Sequence, residues 1–239
     1  MNIFPLSEGS FTVDKSKDFV PFDGEKEKLH SRPAGSLLVE IQPFAVITSK
    51  DILILDTGLG LTDEKGTLQL HQNLLLAGID PLSVTKVLLT HLHKDHAGAA
   101  VKLSFPGAVY YLQQRELDYG IEKGPPSFVP DELEALRNSN QVVFLKNDTG
   151  IIDDYIHFEV TGAHSPCHQV FWIKDNNEII FFGGDDAPHL NQMKHRYTAK
   201  YDYNGRKASQ LRKQWRDKGE KEGWNFLFYH DAVNPVWKF

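Results

Sequence analysis

A short run of histidines with one aspartate is the most chemically distinctive part of this 239-residue sequence. His91, His93, Asp95 and His96 follow one another in the order His-x-His-x-Asp-His. Imidazole nitrogens and carboxylate oxygens are the ligands that zinc and similar divalent metals prefer. Because alternate residues of an extended backbone point to the same side, His91 and His93 can face one ion together. The motif therefore predicts a metal site.

The segments around this motif predict how it is held. Residues 84–89 are mainly apolar and predict a short buried strand, and residues 97–101 predict the start of a helix. The motif would then lie on a strand-to-helix loop, where rigid flanking elements position the side chains. Residues 52–55 are apolar throughout, which is typical of a strand that is covered on both faces.

The rest of the chain alternates between strand and helix patterns. Strands are predicted within 2–11 and over 36–42, 44–48, 51–55, 108–112, 142–145, 155–160, 170–173, 178–182 and 225–229. Helices are predicted over 67–77, 114–122, 131–137 and 206–222. Residues 14–33 are charged and predict a surface loop, with a flap over the active site or a dimer contact as alternatives.

Composition restricts the class of protein. A hydrophobic share of 41% and a charged share of 24% are ordinary for a soluble globular chain, and we treat residues 1–239 as a single domain. The net charge of −6 leaves no basic footprint for nucleic acid. No apolar run approaches the roughly 18 residues of a membrane helix. The first residues lack a signal-peptide pattern, so we expect a cytoplasmic protein.

Five motifs together resemble the metallo-β-lactamase fold superfamily. They are Leu-Ile-Leu-Asp-Thr-Gly at 53–58, the histidine motif at 90–98, Thr-Gly-Ala-His-Ser-Pro-Cys-His at 161–168, Phe-Gly-Gly-Asp at 182–185 and Phe-Tyr-His-Asp at 228–231. They occur in the order of the superfamily and span about residues 37–230. The resemblance implies an α/β fold in which two sheets pack face to face with helices outside, a four-layer αββα sandwich.

The resemblance also implies a centre for two divalent metal ions. It assigns His91, His93 and His164 to one ion, Asp95, His96 and His230 to the other, and Asp185 to a bridge between them. Asp186 is a rival for the bridge because it follows directly, although the Phe-Gly-Gly-Asp pattern favours Asp185. Asp56 and His168 are expected to support the ligands. Zinc is the first expectation, with iron, manganese or cobalt as alternatives.

The chemistry implied by such a centre is hydrolysis of a small molecule. A water between two metals loses a proton near neutral pH, and the bridging hydroxide attacks the substrate. Asp95 is predicted to orient that water as a catalytic residue. The C-terminal motifs resemble the branch that contains quorum-quenching lactonases and methyl-parathion-type hydrolases, so we expect opening of a lactone or cleavage of a small ester. A glyoxalase II-like thioesterase and a phosphotriester or phosphodiester hydrolase are the alternatives.

The substrate contacts are less well defined by the sequence. Some lactonases of this branch carry a tyrosine shortly after the bridging aspartate, where this chain has Asp186, Ala187, Pro188 and His189. We therefore predict that His189 and Tyr229 bind the substrate. The resemblance is also compatible with a homodimer, and it leaves iron-dependent redox proteins of the same superfamily as a further alternative.

Overall fold

The computed structural model describes residues 1–239 as three sheets with flanking helices. The strands are β1 Asn2–Pro5, β2 Gly9–Val13, β3 Phe19–Pro21, β4 Leu37–Ile41, β5 Phe44–Ile47, β6 Ile52–Leu55, β7 Lys86–Leu88, β8 Val109–Gln113, β9 Val142–Leu145, β10 Thr149–Ile152, β11 Ile156–Val160, β12 Gln169–Asp175, β13 Glu178–Phe182, β14 Asn225–Leu227 and β15 Val236–Lys238. The α-helices are α1 Gln69–Leu76, α2 Lys94–Ala97, α3 Gln114–Lys123, α4 Pro130–Arg137, α5 Leu190–Lys194 and α6 Gly205–Glu222.

Two six-stranded sheets form the centre of the molecule. The first has the order β1-β5-β6-β7-β8-β9, and β6 to β9 run parallel. The second has the order β10-β11-β12-β13-β14-β15, in which only β13 and β14 pair in parallel. A third sheet of order β3-β2-β4 lies beside them. Parallel neighbours are joined by crossover connections, so the carboxyl ends of β6, β7, β8 and β9 lie at the same edge of the first sheet.

The apolar strand β6 shows how the layers pack. Leu53 and Leu55 belong to the core between the two large sheets, together with residues of β12 and β13 such as Phe171 and Phe182. Ile54 belongs instead to the core beneath α1, α3 and α4. The strand is apolar on both faces because both faces are covered, as the sequence predicts. The predicted four-layer αββα sandwich is confirmed.

The outer layer on the second sheet is formed mainly by α6. Trp215 of this helix is buried against Phe181 of β13, with ring centroids 4.9 Å apart. The side chain of Asn204 caps its first turn, and Gly223 ends it in the left-handed conformation at φ 68°. None of the helices combines the length and hydropathy needed to span a bilayer.

The structure departs from the predicted elements at several points. The opening strand is two strands in different sheets, because the chain turns after Pro5. The predicted loop 14–33 contains β3, which pairs with β2. The helix start predicted over 97–101 is wrong, because α2 is a single turn that ends at Ala97 and residues 98–101 form turns. Strands β10 and β15 and helix α5 have no counterpart in the sequence prediction.

A buried glutamate between β1 and β2 allows a test of the packing. Glu8 is 5% exposed, and its Oε2 accepts a hydrogen bond of 2.7 Å from the Leu59 backbone N–H while Oε1 lacks a partner. Burial raises the pKa of Glu8 from 4.5 to about 7, against the lowering effects of the Leu59 N–H and Lys102. The folded state therefore holds this proton more strongly than the unfolded chain does.

We predict that Glu8→Gln stabilises the protein increasingly as the pH rises. The wild-type protein loses stability as the pH rises from 4.5 to above about 7, because burial opposes ionisation of Glu8 in the folded state but not in the unfolded chain. At about 1.36 kcal/mol per pKa unit, the variant should gain about 3 kcal/mol near pH 8 and little near pH 4. Urea unfolding of the metal-free proteins measures this difference. Glu64→Gln, at an exposed site, is the control, and a pH-independent difference would contradict the assignment.

Candidate metal centre

The predicted ligands lie at the carboxyl ends of strands from both large sheets. The histidine motif follows β7, and His164 follows β11 by a short loop. Asp185 follows β13, and His230 follows β14. In open α/β sheets, ligands bind beyond the carboxyl ends of the strands, where the connecting loops diverge. The topology therefore brings together residues that are up to 139 positions apart in the sequence.

The first group of converging atoms comprises three histidines and one oxygen of Asp185. Nε2 of His91 lies 3.0 Å from Nδ1 of His93, which lies 3.2 Å from Nε2 of His164. Oδ2 of Asp185 lies 3.1 Å from His164 Nε2 and 4.0 Å from His91 Nε2. Metal–ligand bonds of about 2.0–2.1 Å in a tetrahedron separate the ligand atoms by about 3.3 Å. This spacing fits one divalent ion.

The second group comprises Asp95, His96, His230 and the other oxygen of Asp185. Oδ1 of Asp185 lies 3.1 Å from His96 Nε2 and 2.9 Å from His230 Nε2. Oδ2 of Asp95 lies 3.7 Å and 3.9 Å from the same two nitrogens. His96 Nε2 and Asp185 Oδ1 are buried and have no hydrogen-bond partner. Buried polar atoms are normally paired, so this set also fits a cation.

The turn that carries Asp185 depends on a glycine. Gly184 has φ 48°, a conformation that residues with a Cβ rarely adopt. A Cβ at this position would lie 2.6 Å from Oγ1 of Thr90, so a larger residue would push the turn away from the histidine loop. The neighbouring Asp186 points elsewhere: its Oδ1 accepts a hydrogen bond of 2.8 Å from the His164 N–H, and its Oδ2 lies 3.1 Å from His168 Nδ1.

Asp56 supports the histidine loop from beneath. Its Oδ1 accepts a hydrogen bond of 2.8 Å from the Thr90 N–H, and its Oδ2 accepts one of 2.8 Å from the Thr90 hydroxyl. Oδ2 also lies 2.8 Å from Nδ1 of His96, which must donate to it. The Nε2 lone pair of His96 is thereby directed at the centre. The expectation that Asp56 supports the ligands agrees with these contacts.

His164 and His230 are oriented in the same manner. Nδ1 of His164 lies 3.0 Å from Oδ1 of Asp202, which Arg212 approaches to 3.5 Å on its other oxygen. Nδ1 of His230 lies 2.7 Å from the backbone carbonyl of Glu40 in β4. Each ring donates from Nδ1, so that Nε2 is free to bind a metal. No sequence pattern indicates this role of Asp202, which follows Tyr201 in a polar segment after the Asp185 motif.

Glu116 is a second supporting residue that the sequence analysis missed. It lies in α3 and is 1% exposed. Its Oε2 accepts a hydrogen bond of 2.8 Å from the Ser165 hydroxyl, and its Oε1 lies 3.5 Å from the Leu92 N–H. It therefore joins the loop of His91 and His93 to the loop of His164. An acidic residue in the first turn of an amphipathic helix carries no sequence signal for this role.

The ionisation of the cluster agrees with metal binding. Burial and the neighbouring imidazoles hold the pKa values of His91 and His93 well below the usual range, so both rings stay neutral. Burial disfavours the charged form of His230, but the Asp185 carboxylate outweighs it and raises the pKa of this ring. For Asp185, burial is likewise outweighed, mainly by His230 and His96, and its pKa lies well below the usual range. His91 and His93 are therefore neutral beside an ionised Asp185, whereas the same carboxylate favours the protonated forms of His230 and His96.

The two predicted substrate-binding residues occupy different environments. The side chain of His189 is 31% exposed, lines a narrow cleft over the ligands and lies 3.8 Å from Oδ2 of Asp231. Tyr229 is fully buried instead, where its ring stacks on His96 with centroids 4.0 Å apart. Its hydroxyl donates to the Asp95 carbonyl at 2.6 Å and accepts from the Gly58 N–H at 3.1 Å. A role of Tyr229 in contacting substrate does not fit this position.

Tyr201 lies where a substrate could reach it. It is 39% exposed, and its ring centroid is 6.0 Å from that of His164. It lines both the narrow cleft over the ligands and an adjoining cavity of about 820 Å³. Burial and the nearby Asp185 raise the pKa of its phenol, which stays protonated at neutral pH. The sequence places Tyr201 16 residues after Asp185, too far for a local motif to indicate this proximity.

Known proteins with a similar sequence or fold include lactonases and a probable metal-dependent hydrolase. Over 113 residues the chain is 32% identical to the N-acyl homoserine lactonase AttM of Azorhizobium caulinodans, a match that covers 41% of this chain and spans only 38% of that relative. A probable metal-dependent hydrolase from Staphylococcus aureus has a similar structure, with a TM-score of 0.79 at 20% identity over 99% of this chain and 91% of that one. AidC, a dizinc quorum-quenching lactonase in complex with a product, has a TM-score of 0.72 at 18% identity over 98% and 88%.

The family model of the metallo-beta-lactamase superfamily matches residues 41–218. This range is most of the chain and includes six of the seven converging residues, from His91 to Asp185. His230 lies beyond it but reaches the same cluster through β14. The chain therefore belongs to the metallo-beta-lactamase superfamily.

Proposed function

We propose that this protein is a two-metal hydrolase that opens a lactone or cleaves a small ester. The observation that carries the proposal is the position of Asp185, whose two oxygens face two separate groups of histidine and aspartate atoms. A carboxylate shared in this way reduces the repulsion between two cations roughly 3.5–4 Å apart. The likeness to lactonases and the small-molecule dimensions of the adjoining cavity support the choice of substrate class.

Two bound divalent ions would supply an ionised water as the nucleophile and a Lewis acid for the substrate carbonyl, with zinc as our first expectation. The protein residues would provide the geometry for this chemistry. Asp95 lies beside His96 and His230 at the edge of the narrow cleft, where its carboxylate can accept a hydrogen bond from the attacking water. We propose Asp95 as a catalytic residue in that sense.

Tyr201 and His189 are the side chains proposed to meet the substrate. The protonated phenol of Tyr201 can donate a hydrogen bond to the carbonyl oxygen or to the departing alkoxide, on which negative charge develops. His189 lines the same cleft and can contact the alcohol part of the substrate. Tyr229 acts differently, as a positioning residue that fixes the backbone of Asp95 from beneath.

The direct test is metal analysis combined with an activity panel on the same sample. We expect two equivalents of metal per chain and turnover of lactones or aryl esters that exceeds turnover of S-lactoylglutathione and phosphotriesters. Preferred hydrolysis of the thioester would replace the proposal with the glyoxalase II-like alternative. One equivalent of iron without hydrolysis of any of these substrates would contradict it and favour a redox protein.

Substitution of the two consecutive aspartates separates their roles. Asp185→Asn should abolish binding of at least one metal equivalent and lower kcat/KM by more than about 100-fold, because both ligand groups lose the shared carboxylate. Asp186→Asn should retain both metals but lower the free energy of unfolding by about 1–3 kcal/mol, since Asp186 holds buried donors. Elemental analysis and urea unfolding measure the two effects. The opposite pattern would make Asp186 the bridge.

Removal of single hydroxyl groups separates the two tyrosines. Tyr201→Phe should lower kcat by about 100-fold with little change in stability, because the phenol faces the cleft. Tyr229→Phe should lower the free energy of unfolding by about 1–3 kcal/mol and leave KM nearly unchanged, because its hydroxyl pairs with buried backbone groups. Steady-state kinetics and denaturation of both variants provide the comparison. An increase in KM for Tyr229→Phe but not for Tyr201→Phe would instead support Tyr229 as a residue that contacts the substrate.

A further inference from the structure

The adjoining cavity has a basic lining that the proposed hydrolysis does not explain. It has a volume of about 820 Å³, within the range of about 300–1,000 Å³ that small-molecule sites occupy. Two of the proposed metal ligands, His93 and His164, form part of its wall. A substrate whose reactive bond lies at the metals would therefore extend into this space.

Four lysines line the cavity, and they come from three separate parts of the chain. Lys15 and Lys17 follow β2, Lys123 ends α3, and Lys200 lies in the segment before α6. None of the four lies within 4.0 Å of a carboxylate, whereas Lys86 contacts Asp51 in a salt bridge elsewhere. The whole chain has a net charge of −6, so the local charge of this cavity is opposite in sign to that of the protein.

The two acidic residues of the cavity offset only part of the charge of these four lysines, although Asp14 lies near Lys15. Asp202 is 1% exposed as a side chain and is already engaged by His164 at 3.0 Å and by Arg212 at 3.5 Å. Asp14 accepts hydrogen bonds from the backbone and the hydroxyl of Ser16, at 2.9 Å and 2.7 Å. The positive charge is therefore open to a ligand, and the cavity walls focus its field.

The remaining wall is mainly apolar and aromatic. Its non-charged members include Val13, Leu37, Tyr119, Phe128, Tyr197 and Tyr203. Val13 and Phe128 are buried, while Tyr203 is 69% exposed at the mouth. Such a wall suits an apolar or aromatic body of the ligand, and the lysines suit an anionic group attached to that body.

We infer that the substrate is an anionic lactone or ester, with an apolar or aromatic body and a carboxylate or phosphate remote from the bond that is cleaved. Of the four lysines, Lys17 alone also lines the narrow cleft over Asp95 and Asp185. Lys15, Lys123 and Lys200 are exposed at the outer part of the cavity, where the anionic end would lie. This inference rests on the proposed hydrolase function and specifies its substrate class.

A matched pair of substrates tests the inference. The 4-nitrophenyl monoester of glutaric acid carries a free carboxylate, and the methyl ester of the same compound is neutral with an identical leaving group. We expect kcat/KM to be at least about tenfold higher for the anion at an ionic strength of about 0.01 M. The advantage should shrink at about 0.15 M, where the Debye length falls from about 30 Å to about 8 Å. A phosphonate-ended analogue distinguishes phosphate from carboxylate preference.

Variants locate the effect in the cavity. The double variant Lys123→Gln/Lys200→Gln should lower the anion-to-neutral ratio of kcat/KM by at least about fivefold. Lys146→Gln is the matched control, because Lys146 is exposed, lies outside the cavity and has no salt-bridge partner within 4.0 Å. It should leave the ratio unchanged. Equal rates for the two substrates with the wild-type protein, or an equal fall in the control, would overturn the inference.

Binding measurements distinguish failure of this inference from failure of the proposed function. If neither ester is hydrolysed, calorimetry of the metal-loaded protein with the stable mono-anilide of glutaric acid and with its methyl ester still tests the charge preference. If the anionic anilide binds more tightly than its methyl ester, and the double variant loses this difference, the preference for an anionic ligand stands even though the hydrolase function fails. Equal affinity for the two compounds would overturn the inference, whether or not the protein hydrolyses the esters.

Discussion

The structure depends on the burial of many imidazoles and carboxylates at one seam between two sheets. Asp185 and its partners are almost fully removed from water, and unpaired charges in such a place are costly. The protein resolves this by directing one nitrogen of each of these histidines and both oxygens of Asp185 at the centre, and by giving the Nδ1 atoms of His96, His164 and His230 a partner outside it. Asp56, Asp202 and the carbonyl of Glu40 each take an Nδ1–H. A bound pair of cations would compensate the atoms that remain.

The residues that support the proposed ligands also connect the layers of the sandwich to one another. Glu116 of α3 joins two ligand loops, and Tyr229 after β14 holds the backbone of Asp95 after β7. Contacts of this kind cross from the second sheet to the first, so that the fold on each side restrains the position of ligands on the other. Displacements of a few tenths of an ångström in the ligand atoms matter for metal binding, and rigid strands with short loops can limit such displacements.

Reaction and recognition are carried by different parts of the molecule. The proposed metals are held by the loops that follow the central strands, which are common to the superfamily motifs. The cavity is formed by segments outside those motifs, including the stretch after β2, the end of α3 and the loop before α6. The basic lining of these segments contrasts with the acidic chain as a whole. The proposed preference for an anionic substrate would therefore depend on these peripheral segments and not on the loops that carry the proposed metal ligands.

The sequence by itself indicated the superfamily and the positions of most strands along the chain. The spacing of one loop picks out four of the seven residues that converge, and the resemblance to the superfamily supplies His164, Asp185 and His230. His91, His93 and Asp95 can be recognised from a local pattern, whereas the predicted substrate contact of Tyr229 does not fit its buried position. Only the tertiary structure decided that Tyr229 lies beneath His96 and that Tyr201 reaches the cleft. The sequence did not indicate either position, because they depend on how loops from distant strands pack, and that packing leaves no periodic pattern in the chain.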